Sequence, residues 1–364
     1  MKNSFGNSIT ITLFGESHGE AIGTVIDGLA SGIKIDYEFI NRKMEQRRAR
    51  SDISTPRVES DEVKIISGAM NGYTTGTPLC ILIENNNVKS SDYSQLKDTP
   101  RPSHADYTAS VKYGEWRDYR GGGHFSGRIT AALVAAGSLI ASALRSKGIY
   151  IASHIKELYG AADRDFDNLT DDVMLLDQKL FPTLDSGAES KMIERIKKAK
   201  SAGDSVGGIL ESVIVGLEPG VGEPWFDTLE GELAHILFSV PAVKGVEFGA
   251  GFAFADMMGS EANDQIYIED EKICTTTNNN GGINGGISNG MPIIFRTAIK
   301  PTPSIFKPQS TVSLSRAENT VLTLSGRHDP AIIHRARAVV DAVTAIAIAD
   351  MLTLRHGTDW LRNA

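Results

Sequence analysis

Two histidines stand in polar, turn-like contexts, His18 in GESHG and His104 in RPSHADY. An imidazole titrates near neutral pH, so each is a candidate general acid or base beside a leaving group. Asp329 in GRHDP is followed by a proline and a long apolar-periodic run. That is the pattern of a helix N-cap with proline at the first helical position. Two glycine-rich stretches, YRGGGHFSGR (119–128) and NNNGGINGGISNG (278–290), read as loops. Neither has the GxxxxGKS spacing of a P-loop or the strand, GxGxxG and helix order of a dinucleotide fold. The first still offers backbone N–H groups at a helix start, which can receive an anion such as a phosphate. Between residues 42 and 57, six basic residues (Arg42, Lys43, Arg47, Arg48, Arg50, Arg57) face only Glu45 and Asp52, in a chain whose net charge is −8. Such a segment is either a solvated helix face or a seat for a small polyanion, because guanidinium forks match carboxylates and phosphates.

The elements that must position these groups can be read from periodicity. SITITLF alternates like a strand and delivers GESHG to an edge or cleft. Asp36 caps a helix, DYEFINRKMEQRR, and TPLCILIEN is a buried strand. Ser126 caps the helix GRITAALVAAGSLIASALRSKG, with Ile129, Leu133, Ile140 and Leu144 on one face and Gly148 as its stop. Its many alanines and glycines allow close packing against another element. ESVIVG and PIIFRTAIK read as strands, EGELAHILFSV as a helix, and AIIHRARAVVDAVTAIAIADMLTLRHG as a long helix ended by Gly357. Strands and helices do not alternate in βαβ units, which favours an α+β fold. The 364 residues contain no repeat or linker that marks a boundary, so residues 1–364 are expected to form one domain with 159–203 as a peripheral segment.

Composition narrows the class. With 41% hydrophobic and 23% charged residues the chain is globular, and its acidity argues against a general nucleic-acid binder. No uncharged apolar run is long enough to span a bilayer and no signal-like segment opens the chain, so a cytoplasmic location and no membrane partner are expected. The eight histidines include no HxH or HExxH pair, and Cys80 and Cys274 form no CxxC, so neither a metal site nor a disulfide is expected. His154, His235, His334 and His356 read as packing residues. The residues alone point to an enzyme acting on a small phosphorylated anion, with a non-catalytic binding module for phosphorylated metabolites as the rival.

FGESHG, RPSHADYTASVKYGEWRDYRGGG, SVPAVKGVEFGAGF, NNNGGINGGISNG, KPTPSI and GRHDP occur together, in an order and spacing that resemble the chorismate synthases over nearly the whole chain. The resemblance implies a β-α-β sandwich of antiparallel sheets and helices. It also implies a lyase that converts 5-enolpyruvylshikimate 3-phosphate to chorismate and phosphate by 1,4-elimination, with reduced FMN required but not consumed. On the matched motifs, His18 would protonate the departing phosphate and His104 would set the protonation state of the reduced flavin. Asp329 would assist proton removal at the flavin's fifth-position nitrogen. Ser17, Arg48, Arg101, Arg128 and Arg335 resemble substrate-facing residues. His124, Phe125, Ser126, Pro241, Ala242, Gly285, Lys300, Pro301, Thr302, Pro303, Ser304 and Arg327 match flavin positions, and Arg47 matches one associated with NADPH. The chain departs from the family where His124-Phe125-Ser126 replaces Arg-Ser-Ser and RPSH replaces RPGH, and its basic loop is shortened. Reduced FMN is therefore expected to come from an external flavin reductase. A homotetramer is implied as well. Another flavin-dependent enzyme of this fold, acting on a different phosphorylated anion, is the nearest alternative.

Overall fold

Alternating apolar residues in Thr10–Gly15, Ala21–Asp27 and Leu79–Glu84 give these strands a buried face built on Ile11, Ile22, Ile26, Ile81 and Ile83. They form an antiparallel sheet in the order Ser4–Phe5, Thr10–Gly15, Ala21–Asp27, Leu79–Glu84, Lys64–Ser67. A second antiparallel sheet runs Val243–Phe248, Ile293–Ile299, Gly208–Val215, Tyr150–Leu158, Ala161–Ala162. Helices Tyr37–Arg47, Thr130–Ser146 and Ile333–His356 pack between them, so the α+β sandwich is as expected. This computed structural model describes residues 2–49, 52–54, 61–86, 95–324, 326 and 328–362.

Local signals placed most elements well. Asp36 accepts the Phe39 N–H at 2.9 Å and caps the first helix. Ser126 accepts the Arg128 N–H at 3.3 Å, at the head of a 3₁₀ turn, Gly127–Ile129, that runs into helix Thr130–Ser146. That helix is buried on nearly every side rather than on one face, because it lies between a sheet and the C-terminal helix. Gly137 makes the contact possible: a Cβ there would sit 2.3 Å from the Ala342 carbonyl oxygen. The stretch Gly127–Ser146 is long and apolar enough to cross a membrane, yet 83% of its apolar window is buried inside the protein.

Two expectations change, and residues 159–203 gain internal detail. Asp329 is not an N-cap: the last helix starts at Ile333 behind Ile332, and the Asp329 carboxylate turns to Arg335 instead. The second glycine stretch is not all loop, since Ile283–Asn284 and Ile287–Ser288 form a hairpin whose turn, Gly285-Gly286, has φ of 61° and 87°. Residues 159–203 hold two helices, Leu169–Gln178 and Ser186–Ser201, and lend Phe181, Met192 and Ile196 to the main hydrophobic cluster.

Candidate active site

One end of the helical layer opens into a cavity of about 1090 Å³. It gathers the C-terminal end of helix Tyr37–Arg47 and the N-terminal ends of the other two central helices. Helix N-termini carry partial positive charge. Seven basic residues (Lys2, Arg47, Arg48, Arg128, Lys244, Lys300, Arg335) line it against three acids (Glu45, Asp61, Asp329), a surplus of cations in an acidic protein. Ile11, Leu13, Ile129, Leu133 and Val339 supply an apolar wall.

Of the residues singled out from sequence, the cavity brings together His104, Asp329, Arg47, Arg48, Arg128, Arg335, His124, Phe125, Ser126, Pro241, Ala242, Lys300, Thr302, Pro303 and Ser304. Ser17, His18, Arg101, Gly285 and Pro301 are not on its wall. Arg327 lies outside the described residues, as do Arg50 and Arg57 of the basic segment. The rest of that segment divides: Arg42 and Lys43 pair with buried Asp177, while Arg47 and Arg48 reach the cavity.

The triple-glycine loop explains how the two leading histidines relate. Gly121, Gly122 and Gly123 have φ of 58°, 85° and 55°, a left-handed run that only glycine adopts cheaply. A Cβ on Gly121 would lie 2.2 Å from His18 Cε1, and one on Gly122 would lie 3.2 Å from His104 Cε1. The loop thus separates the two imidazoles. It is tied to the GESHG turn by the Ser17 N–H, which donates to the Gly123 carbonyl at 3.1 Å, and by His124 Nδ1, 2.7 Å from the Gly15 carbonyl oxygen. His18 is 6% exposed, with Nδ1 3.2 Å from Ser17 Oγ.

Two aspartates that sequence reading passed over organise the charges. Asp61 holds Arg47 at 3.1 Å and also pairs with Arg128. Arg47 further donates to Thr130 Oγ1 and the Gly127 carbonyl at 3.1 and 3.0 Å, so its guanidinium joins the first helix to the loop that opens the central one. Asn85, another unforeseen member, accepts from Arg128 Nε at 3.0 Å and donates to the Glu16 carbonyl at 3.0 Å. Asp106 receives Arg101 Nε at 2.7 Å and His104 Nδ1 at 2.7 Å. Burial alone would raise the Asp106 carboxyl, but Arg101 and His104 together hold it well below the usual carboxylate range. Burial and then the neighbouring Lys244 push the Lys300 amine down from the usual lysine value. Arg335 Nη1 grips Asp329 Oδ2 at 2.6 Å and its Nε donates to the Arg47 carbonyl at 2.9 Å.

Backbone strain also collects here. Asp61, Ser103 and Ala242 line the cavity with φ of 48°, 60° and 75°, each a conformation costing about 1 kcal/mol or more without glycine. Ser103 is the side chain that RPSH adds, and its carbonyl accepts from Lys300 Nζ at 2.5 Å. His235, read as packing, lines the cavity with its ring 5.3 Å from Phe5. No group of three metal-ligating side chains occurs among the described residues.

Residues 9–353 match the family model described as chorismate synthase. The chain belongs to the chorismate synthase family. A chorismate synthase of Thermococcus kodakarensis is 45% identical over 98% of this chain and 99% of its own. Those of Pyrococcus abyssi and Methanobrevibacter smithii are each 47% identical, covering 96% and 98% of this chain and 98% of their own. A solved structure described as the crystal structure of chorismate synthase superposes with a TM-score of 0.75 at 25% identity, over 98% of this chain and 95% of that one. Family membership bears out the sequence resemblance, the fold class and the expectation of a lyase with a small-molecule substrate.

Proposed function

We propose that this chain catalyses the family reaction, the 1,4-elimination of phosphate and a ring hydrogen from 5-enolpyruvylshikimate 3-phosphate to give chorismate, the last common step of the shikimate pathway. The observation that carries this reading is the surplus of cations around one large cavity in an acidic protein. The substrate has two carboxylates and a phosphate, which such a wall neutralises. Arg48, Arg128 and Arg335 face it from three elements, and Arg101 acts from behind His104.

The cavity also fits a flavin mononucleotide beside the substrate. Its volume of about 1090 Å³ exceeds the roughly 300–1,000 Å³ of an ordinary one-ligand pocket. Residues 124–126, Pro241, Ala242, Lys300 and 302–304 would hold the cofactor, with Lys300 suited to an anionic group and the apolar wall to a ring. Reduced flavin, when bound, supplies the transient electron density that departure of a poorly acidic hydrogen requires. The chain's own groups do the rest. His18 gives its proton to the leaving phosphate, which requires the triple-glycine loop to let the ligand reach it. His104 holds a proton on the cavity wall, and the Asp329 carboxylate, steadied by Arg335, accepts one.

The Arg47 guanidinium, occupied by Asp61, Thr130 and the Gly127 carbonyl, favours a structural duty over an NADPH contact, which fits reduced FMN supplied by an external reductase. The fold acts as one catalytic domain in the cytoplasm. Self-association, as a homotetramer, fits the exposed Ile266, Ile268 and Ile273 on the hairpin Ile266–Glu269 with Lys272–Thr275. Anaerobic incubation with chemically reduced FMN and the substrate should release chorismate and phosphate in equal amounts. Folded protein that binds the substrate and releases neither product is a binding module.

A further inference from the structure

The nitrogen of His104 that exchanges protons is decided by its neighbours. Arg101 Nη2 and His104 Nδ1 both approach Asp106 Oδ1, at 2.8 and 2.7 Å, and lie 3.1 Å from each other. Arginine only donates. If Nδ1 carried a lone pair, that lone pair would face a carboxylate oxygen at hydrogen-bond distance, acceptor against acceptor. If Nδ1 carries the proton, both groups donate to Oδ1 and the conflict moves to the longer contact, two donors 3.1 Å apart that share one anionic acceptor, which is the smaller penalty. Asp106 Oδ2 is filled by the Arg101 backbone N–H at 3.0 Å and Nε at 2.7 Å, so the carboxylate has four donors and no freedom to turn. Arg101 is anchored in turn by Nη1, 3.3 Å from Ser304 Oγ.

We propose that Asp106 is a positioning residue of the active site: clamped by Arg101, it fixes His104 as the Nδ1–H tautomer and leaves Nε2 as the nitrogen that takes up and gives back a proton in the cavity. The inference rests on the reading of His104 as the proton-handling group of the lyase. The ionised state of Asp106, held by Arg101 and His104 against burial, agrees with it. Gly122 completes the arrangement, because a Cβ there would come within 3.5 Å of Nε2 and 3.2 Å of Cε1.

The first arm of the test needs neither flavin nor substrate. In the nitrogen-15 NMR spectrum of the full-length protein near neutral pH, the neutral ring of His104 should show a protonated Nδ1 and a bare Nε2, and Asp106→Asn should give a mixture of tautomers. The second arm is kinetic. Asp106→Asn should lower kcat for chorismate formation by roughly tenfold or more with KM within about twofold. In a His104→Ala background the same substitution should change the rate by less than about twofold. A wild-type spectrum with the proton on Nε2 would overturn the proposal, as would an equal loss of rate from Asp106→Asn with and without His104. If Asp106→Asn does not fold, the wild-type spectrum still decides. Wild-type protein that forms no chorismate, while showing the Nδ1–H tautomer, removes the lyase reading and leaves the positioning result standing.

Discussion

His104 and His154 are both held by aspartates, yet their surroundings prepare them for opposite work. His154 lies in strand Tyr150–Leu158 with no exposed surface, Nδ1 2.9 Å from Asp163 and Nε2 3.1 Å from Glu211. Both ring nitrogens are committed, and no residue between Leu133 and His235 lines the cavity. His104 gives one nitrogen to a carboxylate that Arg101 shares, and its ring meets the cavity. Burial alone would favour neutral His154, but the hydrogen bonds its ring donates to Asp163 and Glu211 reverse this and raise its pKa above the usual value. An imidazole with two carboxylates is a structural cation; one with a neutralised carboxylate and an open edge can pass protons.

The largest expected effect lies on the structural side. His154→Ala strands Glu211 and Asp163 in the second sheet and should cost about 3–5 kcal/mol in urea unfolding. Activity per folded molecule should be unchanged. On the cavity side, His104→Ala and Gly121→Ala should each slow chorismate formation by roughly 10² or more, with near wild-type unfolding midpoints for the first. Gly121→Ala acts by driving a Cβ against His18. A pH titration of stability sharpens the contrast further. Because the folded pKa of His154 is raised, its contribution is complete below about pH 6.5 and is lost as pH rises through the folded value, at up to about 1.4 kcal/mol per pH unit. His154→Gln should flatten that slope in the same titration. The smallest effect belongs beside His104: Ser103→Gly relieves a φ of 60° and should stabilise the fold by about 1 kcal/mol or less in the same unfolding measurement.

The parts of this site that sequence made legible are those set by local chemistry. Asp36 and Ser126 cap where their spacing says they should, and the glycines of 121–123 announce left-handed backbone. Asp329 misleads for the same reason: Asp-Pro ahead of an apolar run is a local signal, and Arg335, six residues on, takes the carboxylate instead. Asp61 was invisible because its partners lie 14 and 67 residues away. Asp106 is a different case. It sits two residues from His104 in RPSHAD, but an acid at the first turn of helix Asp106–Tyr113 already has a helix-dipole explanation, which hides the clamp. His154 reads from sequence as a packing residue in a strand-like run, and its carboxylate partner Glu211 emerges only with the register of the neighbouring strand.

The most direct measurement places His104→Ala and His154→Ala side by side in an anaerobic single-turnover assay with reduced FMN, with each rate divided by the fraction of folded protein. The expected result is a loss of roughly 10² or more in chorismate formation for His104→Ala and a rate within about twofold of wild type for His154→Ala. Equal losses in both, or a wild-type rate without His104, would contradict the assignment of proton handling to the cavity.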